Sequence, residues 1–169
     1  LRGFDRRAPY CRRIIAQQEN RELERTLILA ADRPACPSER RMAQYGLTYL
    51  YMQTGVPEQA VPLARAWTQA TPKALRNADI ERSLLRNAGR AAAERLERHQ
   101  DWGELVDLWG TELSSIDGTD DPTKLIVAGA MMKLGLSQPA SEILKGLVSK
   151  GVADELKDDV AALLAEAYL

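Results

Sequence analysis

The sequence predicts an all-α protein, and three observations support this. Ala, Leu, Arg and Glu, which are strong helix formers, dominate a chain of 169 residues, whereas β-branched residues are few. Aromatic residues make up only 5%, with a single Phe, which argues against a β-sandwich core. Apolar residues recur every three or four positions, as at Ile80, Leu84 and Ala88. The length fits a single domain over residues 1–169 that folds without the help of a metal or a disulfide.

The net charge of -1 conceals two halves of opposite sign. Residues 1–100 hold 18 basic against 11 acidic residues, a surplus of 7. Residues 101–169 hold 5 Lys, no Arg and 13 acidic residues, a deficit of 8. Nucleic-acid binding would need a basic stripe with interleaved aromatic residues or a known motif, and only the first half of the chain is even mildly basic. We therefore expect solvated charged surfaces and no nucleic-acid partner.

The longest apolar run, from Leu125 to Met132, is much shorter than the ~20 residues that cross a bilayer. No transmembrane segment is predicted within this sequence. The chain starts at Leu1 rather than Met and stops at Leu169 inside an apolar helical pattern. We therefore expect it to be a piece of a longer protein, and the absence of a leader says nothing about compartment.

Helix-ending signals recur at regular intervals along the chain. Asn20, Gly55, the corner at 99–101 and Gly135 separate apolar-periodic segments by about 35 to 45 residues, a spacing typical of stacked supersecondary repeats. Residues 73–83 interrupt this regularity, and eleven residues are three helical turns, so they should lengthen one helix without rotating its apolar face. The predicted elements are four helical hairpins and a terminal helix, at about 6–36, 40–72, 75–116, 121–150 and 153–169.

The clearest unit runs from Arg41 to Ala74. Gly55 should end its first helix in the left-handed conformation, and Pro57 should start the second helix at a first-turn position. The residues that mark it are Leu47, Tyr51, Gly55, Ala60 and Pro72. With these at their spacing, the unit resembles the tetratricopeptide repeat family. The resemblance implies a right-handed α-solenoid of about three to four hairpins.

Three positions of this unit depart from the family pattern: Thr48 replaces a small residue, Ala64 a large aromatic one and Trp67 a small one. The last two departures exchange a large and a small side chain one turn apart, which would conserve packing volume. Similar but weaker units follow in the third and fourth predicted hairpins, at 75–116 and 121–150. A helical solenoid outside this family remains the alternative.

No residue pattern points to catalysis. His99 is the only His and lies in a predicted corner, where a solvent-facing role is expected, and no metal-ligand or nucleophile spacing surrounds it. The acidic pairs 120–121 and 158–159 stand where helices begin, which favours capping. The scattered glycines form no phosphate-binding loop. We expect neither enzymatic activity nor a cofactor or metal.

The first predicted hairpin would bring the two cysteines to neighbouring helix ends. Cys11 falls at the start of its first helix and Cys36 just beyond its second, so the two could meet. A disulfide there would imply an oxidising compartment such as a bacterial periplasm. Free cysteines acting as small apolar residues are the alternative.

In the family that the best unit resembles, the first helices of successive hairpins line a concave groove that binds a partner peptide. Carried over residue by residue, the resemblance implies a protein-binding groove made of Met42, Tyr45, Tyr49, Met52, Gln53, Arg90, Glu94, Arg98, Leu125 and Met132. Exposed Tyr, Met and Arg are typical of interfaces. Tyr45 and Tyr49 could instead only pack against the preceding hairpin.

The function expected from this resemblance is that of a non-catalytic scaffold or adaptor, which would suit a bacterial envelope assembly or polysaccharide export complex. Two alternatives stay open. The chain could be a spacer within a longer solenoid, or the regulatory or localising domain of a larger enzyme. Partner identity and oligomeric state do not follow from the sequence.

Overall fold

The computed structural model describes the backbone of residues 9–116 and 119–168, and their side chains except those of residues 9–16, 18 and 75. Helices make up 84% of the structure, and the described residues include no strand, so the predicted all-α class is confirmed. The α-helices are α1 (Pro9–Asp32), α2 (Pro37–Thr54), α3 (Pro57–Ala70), α4 (Ala78–His99), α5 (Trp102–Thr111), α6 (Asp121–Lys133), α7 (Ser137–Lys150) and α8 (Lys157–Ala167). None of these described helices is both long and apolar enough to cross a lipid bilayer.

The helices pack in a repeating order. α2 packs on α3, α4 on α5 and α6 on α7, so each pair is a hairpin joined by a short corner. The second helix of each pair also contacts the next helix along the chain: α3 contacts α4, α5 contacts α6, and α7 contacts α8. The first helices touch one another as well, since α2 contacts α4, α4 contacts α6 and α6 contacts α8.

Two apolar clusters form the core, and each is shared between hairpins. One joins α3 to α4 through residues such as Val61, Ala64 and Ala92, all fully buried. The other joins α4 to α6 and α7 through residues such as Leu96 and Leu144. Small residues at these contacts let the helix backbones approach closely. No hairpin buries its apolar face alone.

The corners between helices follow from local sequence signals. Gly55 has a φ of 87°, so the left-handed conformation predicted there is confirmed, and Gly135 adopts the same conformation with a φ of 74°. Gly55 closes α2 with its N–H donated to the carbonyl of Tyr51, and Pro57 occupies the first turn of α3. At the corner between α4 and α5, Gln100 takes the left-handed conformation, with a φ of 61°.

The first predicted hairpin is wrong, because α1 is one continuous helix of 24 residues that passes through Asn20. A single Asn in a helix costs well under ~1 kcal/mol, too little to break a helix that packs along its neighbour. That packing is visible where Leu27 lies against Gly46 of α2, and where the Tyr51 hydroxyl donates to Glu24 at 2.9 Å.

The continuous helix also removes the reason for pairing Cys11 with Cys36. Cys11 lies near the start of α1 and Cys36 beyond its end, so about 30 Å of helix separates them. The chain after Asp32 is too short to fold back over that distance. The side chain of Cys11 lies outside the described residues, whereas the Cys36 thiol is exposed and lies 2.9 Å from the Ser38 hydroxyl. Without this bond, nothing in the sequence or the structure points to an oxidising compartment.

The lengthened helix is α4, although it begins at Ala78 rather than near residue 75. Residues Lys73–Leu75 form a short 3₁₀ turn before it. The Asn77 side chain then caps the helix by accepting the N–H groups of Asp79 and Ile80 at 3.1 and 3.2 Å. The extra turns project the N-terminal part of α4 beside α2.

Candidate protein-binding groove

A cleft of about 440 Å³ lies between α2 and the N-terminal half of α4. Tyr45 and Tyr49 form one wall, and their ring centroids are 4.9 Å apart. The wall contributed by α4 and its cap consists of Asn77, Asp79, Ile80, Ser83, Leu84 and Asn87. Tyr49 and Ile80 are 43% and 50% exposed, so the cleft offers apolar surface to solvent next to amide and hydroxyl groups.

Tyr45 is fixed in this wall from two sides. Its ring lies 5.3 Å from that of Trp67 on α3, and its hydroxyl donates to the Tyr49 hydroxyl at 3.3 Å. That hydrogen bond, with a smaller contribution from burial, raises the pKa of Tyr45. Trp67, one of the three departures from the family pattern, therefore holds the ring of Tyr45 in place. Ala64, a second departure one turn earlier, is fully buried.

The third departure from the repeat pattern, Thr48, is also accommodated. Its side chain is fully buried, and its hydroxyl donates to the Gln44 carbonyl at 2.8 Å. The polar group is thus satisfied within α2, and the small side chain still allows close packing.

A second cleft, of about 390 Å³, lies where α4, α6 and α8 meet. Its lining is mostly aliphatic, with a carboxylate on each of two helices: Glu97, Leu125, Ile126, Gly129, Asp159, Ala162 and Leu163. Burial, with a smaller contribution from neighbouring Glu94, raises the pKa of Glu97.

An ion-pair cluster lies on α4 between the residues of the two clefts. The Arg90 guanidinium pairs with Glu94 at 2.8 Å and with Asp120 at 3.7 Å. The hydrogen bond to Glu94 and the charge of Asp120 raise the pKa of Arg90. Asp120 also caps α6 by accepting the N–H of Thr123 at 3.1 Å, as the sequence predicted for this acidic pair. Arg90 therefore ties α4 to the start of α6.

The spacing along α4 relates these features to one another. Four residues of α4 follow one another at intervals of three or four positions. They are Asn87 of the first cleft, Arg90 and Glu94 of the ion-pair cluster, and Glu97 of the second cleft. Residues with this spacing lie on one face of a helix. The two clefts and the ion-pair cluster therefore share one face of α4.

The structure distributes the other predicted groove residues unevenly. Leu125 lines the second cleft. Met42 is 69% exposed at the start of α2, and Gln53 and Arg98 are exposed near the ends of α2 and α4. Met52 and Met132 are half-buried and pack against the two core clusters, so their side chains contribute mainly to the fold.

Sequence reasoning missed the residues that form the opposite walls of both clefts. Asn77 and Ile80 come from the extension of α4, Asn87 from the next part of the same helix, and Asp159 and Leu163 from α8. The extension was visible in the sequence as the insertion at 73–83. Its position beside α2 was not, because that depends on helix packing.

The remaining candidates for chemistry in the described part of the chain are His99 and groups of possible metal ligands. His99 is the exposed last residue of α4, as expected for a corner. Among the described residues no three His, Cys, Asp or Glu side chains converge in a way that could hold a metal ion.

Comparisons of the chain with protein-family models, curated proteins and solved structures gave no match.

Proposed function

We propose that this chain is a non-catalytic scaffold that binds a segment of another protein along the face formed by α2, α4, α6 and α8. The observation that carries the proposal is the alignment of two solvent-open clefts on one face of α4. Exposed aromatic and aliphatic side chains next to amide, hydroxyl and carboxylate groups are the composition that protein-binding surfaces use.

The order of helix contacts supports a solenoid of tetratricopeptide-like form as the framework. The first helices of neighbouring hairpins contact one another in series, and each second helix packs on the next first helix. A stack with this order presents its first helices along one continuous surface. The resemblance of residues Arg41–Ala74 to that repeat family adds the right-handed sense of the stack.

The test selects ligands without assuming a natural partner. A displayed library of random peptides is selected on the folded chain, and the enriched peptides are titrated against the parent, a groove variant and a control. The groove variant is Tyr49→Ala/Ile80→Ala, which removes exposed apolar surface and leaves Tyr45 with its Trp67 contact. The control is Val148→Ala on α7, an aliphatic side chain that is 55% exposed and lines neither cleft.

We expect the groove variant to weaken binding by about 1 to 3 kcal/mol and the control to change it by less than about 0.5 kcal/mol. Circular dichroism should show the same helical content for all three proteins. Peptides that bind the parent and the groove variant equally would contradict the proposal and favour the spacer alternative.

A further inference from the structure

The two clefts differ in how their carboxylates are satisfied. In the first cleft Asp79 is paired with Arg82 at 3.0 Å. In the second cleft neither Glu97 nor Asp159 has an ion pair within 4.0 Å among the described residues. Arg98, the next residue along α4, makes no ion pair with Glu97.

The two carboxylates border an aliphatic floor. Leu125 and Ile126 of α6 and Leu163 of α8 are half-buried and belong to the side chains that pack on the core. Among the residues that the structure describes, no Lys or Arg lines this cleft. Its lining therefore combines apolar surface with a carboxylate on each of two helices, and most of its lining residues come from the acidic segment 101–169.

We propose that the second cleft recognises a basic amphipathic segment of a partner protein, with an aliphatic side chain on the Leu125–Ile126–Leu163 floor and a Lys or Arg between Glu97 and Asp159. The long aliphatic part of Lys or Arg covers apolar surface while its charged end reaches the carboxylates. Charge-assisted hydrogen bonds next to a surface that excludes water are stronger than exposed ones. This inference rests on the proposed binding face and adds the chemistry of its partner.

The same arrangement disfavours other occupants. An acidic or phosphorylated segment would place like charges beside Glu97 and Asp159, which is repulsive. A purely apolar segment would cover the two carboxylates without compensating them, and burying an unpaired charge is costly. A cationic group adjacent to an aliphatic one satisfies both parts of the lining.

The experiment uses two fluorescein-labelled probe peptides. One is a short amphipathic helical peptide with Leu along one face and Lys flanking that face, and the other carries Glu in place of every Lys. Fluorescence anisotropy measures the affinity of each for the parent. We expect the Lys peptide to bind at least about tenfold more tightly than the Glu peptide, with a preference that falls as salt is added.

A pair of matched variants separates the cleft from the general acidity of this half. Glu97→Gln/Asp159→Asn removes the two cleft carboxylates with little change of shape. Glu104 and Asp107 on α5 are exposed, as are Glu97 and Asp159, so Glu104→Gln/Asp107→Asn removes the same charge from matched positions outside the cleft. We expect the cleft variant to bind the Lys peptide about five- to thirtyfold more weakly than the parent, and the control to stay within about twofold.

Equal losses in the two variants would show that the peptide responds only to net charge, and would overturn the proposal. So would equal binding of the two peptides, or no binding of the Lys peptide. Thermal melts check that each variant is folded. Library-selected peptides that depend on Tyr49 and Ile80 but not on Glu97 and Asp159 would overturn this inference and leave the proposed function in place. Selected peptides that ignore both pairs would contradict the proposed function as well.

Discussion

Arg65 of α3 should be one of the most important single side chains for joining the first two hairpins. Its guanidinium donates to the Thr111 and Glu112 carbonyls and to the Ser115 hydroxyl at the end of the second hairpin, and it pairs with the Glu112 carboxylate at 3.1 Å. The side chain is 26% exposed, so these contacts are partly shielded from water. Arg65→Met would keep the aliphatic packing and remove every one of these contacts.

The expected cost follows from those contacts. A hydrogen bond that involves a charged group contributes about 1.5 to 3 kcal/mol when it is shielded, and partial exposure lowers this. We expect a total loss of about 2 to 3 kcal/mol in the free energy of unfolding. At this chain length the midpoint of a thermal melt should then fall by about 5 to 10 °C, measured by circular dichroism.

Arg82→Met is the matched control for this prediction. Arg82 is 60% exposed and pairs with Asp79 within its own helix, a contact that contributes less than about 0.5 kcal/mol. Glu112→Gln should cost less than Arg65→Met, because the carbonyl contacts of Arg65 remain. Equal melting of the Arg65 and Arg82 variants would refute the claim that Arg65 links the hairpins.

Three further predictions concern local structure. Gly55→Ala should destabilise the protein by about 1 to 2 kcal/mol because the φ of Gly55 is 87°, whereas Gly146→Ala inside α7 should stabilise it by up to about 1 kcal/mol. Shifts of the melting midpoint in the same direction for both variants would contradict this. Asn77→Ala removes the cap of α4 and should cost about 1 kcal/mol, measured by urea denaturation, with an unchanged midpoint as the contrary result. Cys36 should react with a thiol reagent without prior reduction, and at lower pH than an ordinary cysteine because the Ser38 hydroxyl lowers its pKa; a thiol that appears only after reduction would contradict the structure.

The elements that sequence reasoning predicted well are those with strong local signals. Gly55 followed by Pro57 marks a helix end and a helix start within three residues, and both are found. The same logic predicts a corner at Asn20, but Asn lacks the strong preference of Gly for the left-handed conformation. Packing on α2, where Glu24 contacts Tyr51 and Leu27 contacts Gly46, favours a continuous α1.

The candidate groove was predictable only in part. Helical spacing places Tyr45 and Tyr49 on one face, and both line the first cleft. Met52 and Met132 follow the same spacing but pack against the core clusters, because the neighbouring helices cover their positions. The walls from Ile80 and Asp159 depend on contacts between helices distant in sequence, which periodicity does not report.

The most direct test of the proposed binding face is an NMR titration of the isotope-labelled chain with a library-selected peptide, following backbone amide shifts. We expect the largest shifts on α2, α4, α6 and α8, centred on residues such as Tyr49, Asn87 and Gly129. The outer helices α3, α5 and α7 should change little. Shifts concentrated on those outer helices, or on the exposed side of α1, would contradict the proposed binding face.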